Sequence, residues 1–222
     1  MKRALLNALL AAKRERRAVA IVTQIASGAQ RMVDKEECVH DPLGNTLEEA
    51  FRFDESGLQG DDFIHVYNPP LRLVIIGAVH IAQSVIPMAG QTGYDVTVID
   101  PRGAFATGER FPDISLYVQW PDEVLPTFKL DARTALLALT HDPKIDDPAL
   151  SLALHSECFY IGALGSKKTQ AGRYARLKEL GFSDEKITRV NGPIGLPIGA
   201  KGAAEIAISI MAEMTRTLRL GS

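Results

Sequence analysis

The chain has 222 residues, 46% of them hydrophobic and 23% charged, which excludes a disordered protein, since disorder needs less apolar content and more net charge. The net charge is −2, with 9 Lys/Arg and 11 Asp/Glu in residues 1–70 and 16 of each in residues 71–222. Neither part has the positive excess that a phosphate backbone demands, so nucleic acid is excluded as a partner.

Residues 4–17 predict a helix, because Leu5, Leu6, Leu9 and Leu10 form one apolar stripe. Lys13-Arg14-Glu15-Arg16-Arg17 follows with no small-residue cleavage site, so the segment reads as an amphipathic helix of a cytoplasmic protein and not as a signal peptide. Residues 18–24 (Val19, Ile21, Val22, Thr23) predict a strand. From 27 to 70 the pattern weakens: short strand-like pieces at 51–53 and 63–67 and a helical turn at 47–50 are punctuated by Gly28, Gly44, Gly57 and Gly60. Asn68-Pro69-Pro70 reads as a stiff linker that separates a small domain, 1–67, from a larger one, 71–222.

Beyond the linker, strands are predicted at 71–76, 96–99, 115–119, 135–139 and 159–161. Helices are predicted at 79–90, with Pro87 kinking or shortening the end, at 147–156 and 168–181, and at 203–219. Strands alternating with helices predict an α/β, Rossmann-like parallel sheet with helices on both faces, beside a small N-terminal α+β domain. No apolar run reaches the roughly 18 residues of a membrane span, so no membrane partner is expected. Cys38 and Cys158 suggest neither a disulfide framework nor a four-ligand zinc site, and Cys158 reads as core.

Ligands of open parallel sheets sit beyond the carboxyl ends of the strands, so the residues after each strand carry the chemistry. The first strand is followed by Gly77-Ala78-Val79-His80-Ile81-Ala82, close to a dinucleotide fingerprint, with Val79 where the second glycine would let backbone approach a pyrophosphate. The second is followed by Asp100-Pro101-Arg102, with Asp100 spaced for a ribose hydroxyl and Arg102 suited to phosphate; an Asp-Pro turn is the plain alternative. The fourth is followed by Thr140-His141-Asp142, where His141 can act as acid, base or ligand and Asp142 can orient it. The fifth is followed by Gly162-Ala163-Leu164-Gly165-Ser166-Lys167-Lys168-Thr169, which joins glycines, a hydroxyl, two lysines and a helix start: an anion loop, or a capped helix with a solvated lysine pair. Gly77, Asp100, His141 and Gly165 are expected to share one sheet edge. No metal site is expected.

These segments, taken in order with Arg110-Phe111-Pro112, Asp146, the loop 193–200 and Glu205-Ile206-Ala207, resemble the XdhC/CoxI family of molybdenum hydroxylase accessory proteins. The resemblance covers about 71–218. It implies a protein that binds molybdenum cofactor, assists its sulfuration or insertion into an apo molybdenum hydroxylase, and acts as a chaperone more than as a turnover enzyme. A homo-oligomer and a cysteine desulfurase partner are further expectations. The cofactor is a pterin bearing a phosphate and a dithiolene-bound metal; Gly77, Ser166, Lys167 and Lys168 would take the phosphate, and His80 or His141 would meet the pterin or the metal's oxygen ligands. Val79, Pro197 and Lys201-Gly202-Ala203 depart from the family's pattern, and Cys38 in Glu37-Cys38-Val39-His40 stands in loosely for its Gly-Gly-Cys motif. The competing reading is an NAD(P)-dependent oxidoreductase, or a nucleotide-sensing domain, using Asp100 and Arg102 on the ribose.

Overall fold

The structure is a computed structural model and describes residues 2–221. The chain divides between Pro69 and Pro70 into two compact units. The first holds α1 (Arg3–Arg14), β1 (Val19–Gln24), β2 (Gln30–Asp34), α2 (Gly44–Phe53), β3 (Gly57–Gln59) and β4 (Asp62–Tyr67). Its strands form an antiparallel sheet in the order β2-β1-β4-β3. Alternation along β1 sorts the two faces: Ala20 and Val22 pack with Leu47 and Phe51 of α2, while Val19 and Ile21 pack with Leu9 and Ala12 of α1.

The piece at 51–53 is helical and not a strand, because Leu47 and Phe51, four residues apart, bury one face of α2. β2 and β3 have no apolar signature to read; they are the outer strands, with only Val33 buried in β2 and nothing buried in β3. Asn68 belongs to the first unit, since its amide donates to the Phe51 carbonyl at 2.8 Å and to Asp54 at 2.6 Å.

The second unit runs β5 (Leu71–Ile76), α3 (His80–Gln91), β6 (Tyr94–Ile99), β7 (Ser115–Tyr117), α4 (Pro121–Val124), β8 (Thr134–Ala138), α5 (Pro143–Leu154), β9 (Tyr160–Ala163), α6 (Lys167–Glu179), α7 (Asp184–Ile187), β10 (Val190–Asn191) and α8 (Ala203–Leu220). The six strands form one sheet in the order β10-β9-β8-β5-β6-β7, with every pair parallel. The period of two again divides the core. Leu73 and Ile75 pack with Ala82 and Val85 of α3 and Ile210 and Met214 of α8. Val74 and Ile76 pack on the other face with Ala149 and Leu150 of α5 and Leu177 of α6. Each such side chain, fully buried, stabilises the fold by about 1.5–3 kcal/mol. This is an α/β, Rossmann-like sheet with helices on both faces.

Three boundaries differ from the sequence pattern. α5 starts at Pro143 and not 147, because Asp142 caps it by accepting the Lys144 N–H at 3.0 Å and proline suits the first helical position. α3 continues through Pro87 to Gln91. The two-residue β10 is too short to leave a pattern.

From β5 the chain moves outward through β6 and β7, then crosses back to β8 on β5's other side. That reversal puts the ligand crevice of such a sheet at the carboxyl ends of β5 and β8. Gly77 ends β5 there with φ +113°, and a Cβ on it would lie 2.8 Å from Thr140 Cγ2 and 3.3 Å from Thr140 N. Strain and overpacking therefore act together, and Gly77→Ala is expected to lose roughly 2–4 kcal/mol. Urea unfolding should show a lower midpoint with an unchanged slope; an alanine variant as stable as the parent would show that the close approach is not required.

Candidate functional site

The carboxyl ends of β9, β8, β5 and β6 are adjacent, so the loops that begin at Leu164, Leu139, Gly77 and Asp100 share one edge of the sheet. Two buried carboxylates organise it.

Asp100 is fully buried at the end of β6. Its Oδ2 accepts the Ala78 N–H and Arg102 Nη2, both at 2.8 Å, and its Oδ1 accepts the Arg102 N–H at 3.0 Å and Nε at 2.9 Å. Burial alone would raise this carboxyl; the Arg102 guanidinium and the two backbone N–H groups outweigh it and hold the group below the usual carboxylate range. The stability so gained is full at neutral pH and is lost as pH falls through that depressed value. The ribose expected at Asp100 finds no open oxygen, because both are spent on the protein itself. Arg102, expected at a phosphate, is paired with Asp100 and lies 4.7 Å over the Phe105 ring. Ala78 is fully buried with its N–H given to Asp100, and Gly77 N–H donates to the Ile99 carbonyl. Val79 forms the half-buried entry to α3, and His80 is exposed at the helix's first residue.

Asp146, on the first turn of α5, is the second carboxylate and is 1% exposed. Its Oδ1 accepts Thr140 Oγ1 at 2.7 Å and Thr140 N–H at 3.3 Å; its Oδ2 accepts the His141 N–H at 3.1 Å. Burial raises this carboxyl, and the three donors together with Arg173 oppose the rise without cancelling it. The carboxylate grips the loop after β8 and holds His141 at φ +64°, left-handed for a residue with a side chain, while the imidazole is exposed. Asp146, not Asp142, does the positioning, and it acts on the His141 backbone. Asp142 is used as the helix cap.

After β9, Gly162 is buried beneath Ile194, whose side chain a Cβ would strike at 2.5 Å, so this glycine makes room for core packing and does not face a ligand. Gly165 has φ +148°, and Ser166 caps α6 by accepting the Thr169 N–H at 3.2 Å. Lys167 and Lys168 follow on the exposed first turn. Between α5 and α6 lies a pocket of about 250 Å³ whose lining includes His141, Asp146, Lys168, Thr169, Arg173 and Arg176. Lys168 and Arg176 are eight residues apart and Thr169 and Arg173 four, so all reach the pocket from successive turns of α6. The sequence pattern around the lysines does not single out Arg173 or Arg176; projecting α6 onto a helical wheel groups them. Among the described residues, no group of three or more His, Cys, Asp or Glu comes together that could hold a metal ion.

Residues 73–214 match the family described as the XdhC Rossmann domain. The chain belongs to the XdhC family. It is 32% identical over 148 residues to the molybdenum cofactor insertion chaperone PaoD of Escherichia coli (strain K12), a match covering 67% of this chain and 40% of that protein. It is 31% identical over 156 residues to a probable xanthine dehydrogenase subunit of Bacillus subtilis (strain 168), covering 70% of this chain and 45% of that protein. The chain thus matches less than half the length of these curated relatives. A crystal structure of a xanthine dehydrogenase from Bacillus halodurans superimposes with a TM-score of 0.70 at 24% identity, covering 99% of this chain and 65% of that one, and shows the same fold.

Within this XdhC Rossmann unit, Cys158 is buried and its thiol is pushed up to about 11 by desolvation, which leaves it an inert core residue. Cys38 of the first unit is 2% exposed in the core against Leu47 and Phe51. The Asp146 grip is directly testable. Asp146→Ala strands two backbone N–H groups and a hydroxyl and is expected to cost roughly 2–4 kcal/mol. Amide hydrogen exchange at Thr140 and His141 should quicken with it, whereas unchanged protection would show that the loop is held by something else.

Proposed function

We propose that the chain is a cofactor-handling unit that holds molybdenum cofactor at the carboxyl edge of its parallel sheet and assists its sulfuration or insertion into a xanthine dehydrogenase-type hydroxylase. The observation that carries this reading is the match over two thirds of the chain to a protein named as a molybdenum cofactor insertion chaperone. The donor set suits such a cargo. The pocket lining presents Lys168, Arg173 and Arg176 against the single carboxylate of Asp146, which favours an anionic group, and the exposed His141 imidazole stands where it can meet the cargo's polar edge. The metal needs no protein ligand cluster, because its dithiolene is part of the cofactor. The apo hydroxylase is the partner that accepts the cargo, and a cysteine desulfurase is the class of partner that would supply sulfur. A homo-oligomer belongs to the same reading.

The site is that of a carrier. A general acid or base needs an orienting partner for its ring, and the carboxylates nearest His141 are engaged with backbone N–H groups instead of its imidazole. NAD(P) is disfavoured on geometry: the acid expected to take the ribose is sealed under Arg102, and the amides of Gly77 and Ala78 are already paired. No helix among the described residues is long and apolar enough to cross a membrane.

The test is co-expression with an apo molybdenum hydroxylase. His141→Gly relieves the left-handed φ while accepting the entropy of glycine, so its stability should stay within about 1 kcal/mol of the parent. Molybdenum retained on the purified variant and activation of the hydroxylase should both fall. The double variant Lys167→Ala/Lys168→Ala should weaken cofactor binding by more than about tenfold, each charge-assisted contact contributing roughly 1.5–3 kcal/mol. Stable variants that load and activate the hydroxylase normally would remove the proposed site.

A further inference from the structure

Arg173 is the least expected group in the second unit. It lies on α6 with 2% of its surface exposed, the largest fully buried side chain among the described residues. Its Nη1 donates to Gln170 Oε1 at 2.5 Å and its Nη2 to the Leu164 carbonyl at 2.9 Å. Its Nε has no hydrogen-bond partner among the described residues. The nearby carboxylates are committed elsewhere: Asp147 is clasped by Arg176, with Nε to Oδ2 at 2.5 Å and Nη2 to Oδ1 at 3.0 Å, and Asp146 is turned to Thr140 and His141. A buried guanidinium with a donor left over and no paired anion is costly, and proteins rarely keep one without a use.

That guanidinium lines the pocket between α5 and α6. The same pocket receives Lys168 and Gly172, a mid-helix glycine whose Cβ would meet only Arg176 Nη1, at 3.6 Å. Glycine inside a helix costs about 1 kcal/mol relative to alanine, and here its return is empty space between two cationic residues. The start of α6 adds the free N–H groups of its first turn. Lys167 does not line the pocket. By contrast, the turn after β5, where a dinucleotide's bridging phosphates would lie in such a sheet, has its Gly77 and Ala78 amides consumed.

We propose that this pocket is a subsite for one terminal phosphate monoester, with Arg173 as its buried counter-charge, Lys168 and Arg176 at its rim and Gly172 keeping it open. The proposal deepens the cofactor-handling reading and rests on it for the phosphate's natural source. It divides the lysine pair: Lys168 binds and Lys167 is solvated.

The probe is inorganic phosphate, titrated into the full chain at constant ionic strength with chloride as the balancing ion, and followed by the melting temperature and by calorimetry. Phosphate should raise the melting temperature of the parent saturably, as a ligand that binds the native state must. Lys168→Ala should weaken phosphate by about tenfold or more, the loss of one charge-assisted contact, and Lys167→Ala should change it less than about twofold. Arg173→Gln should abolish the shift. Gly172→Leu guards against a variant that fails merely by unfolding: it fills the pocket with a better helix former, so it should melt at or above the parent temperature and yet lose phosphate. Equal effects of the two lysines, or a Gly172→Leu protein that still binds phosphate, would overturn the subsite. If the variants leave phosphate binding unchanged while molybdenum still co-purifies, the subsite fails and the cofactor reading stands. If phosphate binds in the expected pattern and neither pterin nor molybdenum co-purifies, the subsite stands and the cofactor reading fails.

Discussion

The Asp100 carboxylate is the constraint on which the ligand edge depends. A carboxylate with no solvent exposure is stable only when its oxygens are saturated, and four hydrogen bonds do that here. Those bonds join the end of β6 to the turn after β5 and fold the Arg102 guanidinium back over the junction. The consequence is functional as well as mechanical. In a dinucleotide enzyme of this topology, an acid after the second strand reaches outward to a ribose; here it reaches inward to the Ala78 N–H. The fold is retained while the usual nucleotide contacts are closed.

The neighbouring loop uses the same device with a different outcome. Asp146 also exhausts its oxygens on backbone and hydroxyl donors, but its grip pushes the His141 side chain outward in a left-handed conformation. One carboxylate seals the β5–β6 side of the edge and the other presents an imidazole on the β8–β9 side. Positive charge collects on that second side, where α6 brings Lys168, Arg173 and Arg176 to one pocket. An anionic cargo is thereby directed to β8 and β9, one step along the sheet from the crevice that the strand order alone would indicate.

Much of this is legible in the sequence, for physical reasons. The β5, β8 and β9 segments are apolar runs because both their faces are covered, and each is followed by a glycine, threonine or histidine loop, which places Gly77, His141 and Gly165 on neighbouring strands. The family resemblance rests on those same loops and on the segments after them. The roles of individual residues are less readable. Spacing alone cannot show which way a carboxylate points, so Asp100 reads as a ligand group and Asp142 as an orienting acid, although one is sealed and the other caps α5. Gly162 reads as part of an anion loop because the contact that demands it comes from Ile194, 32 residues away. Arg173 is invisible because an arginine at helical spacing reads as a solvated face, and only packing shows that it is buried. In the first unit, β2 and β3 leave no pattern because outer strands bury too little, and 51–53 reads as a strand because two aromatic residues around Arg52 also fit strand alternation.

The central claim is that this edge carries molybdenum cofactor and not a nicotinamide nucleotide. The most direct measurement is the identity of what co-purifies when the chain is produced without air in cells that make the cofactor. The released small molecules would be quantified by mass spectrometry, with molybdenum measured on the same sample. The account predicts pterin and molybdenum in comparable amounts, both diminished in His141→Gly, with no NAD(P). Recovery of NAD(P) without pterin or molybdenum would contradict it.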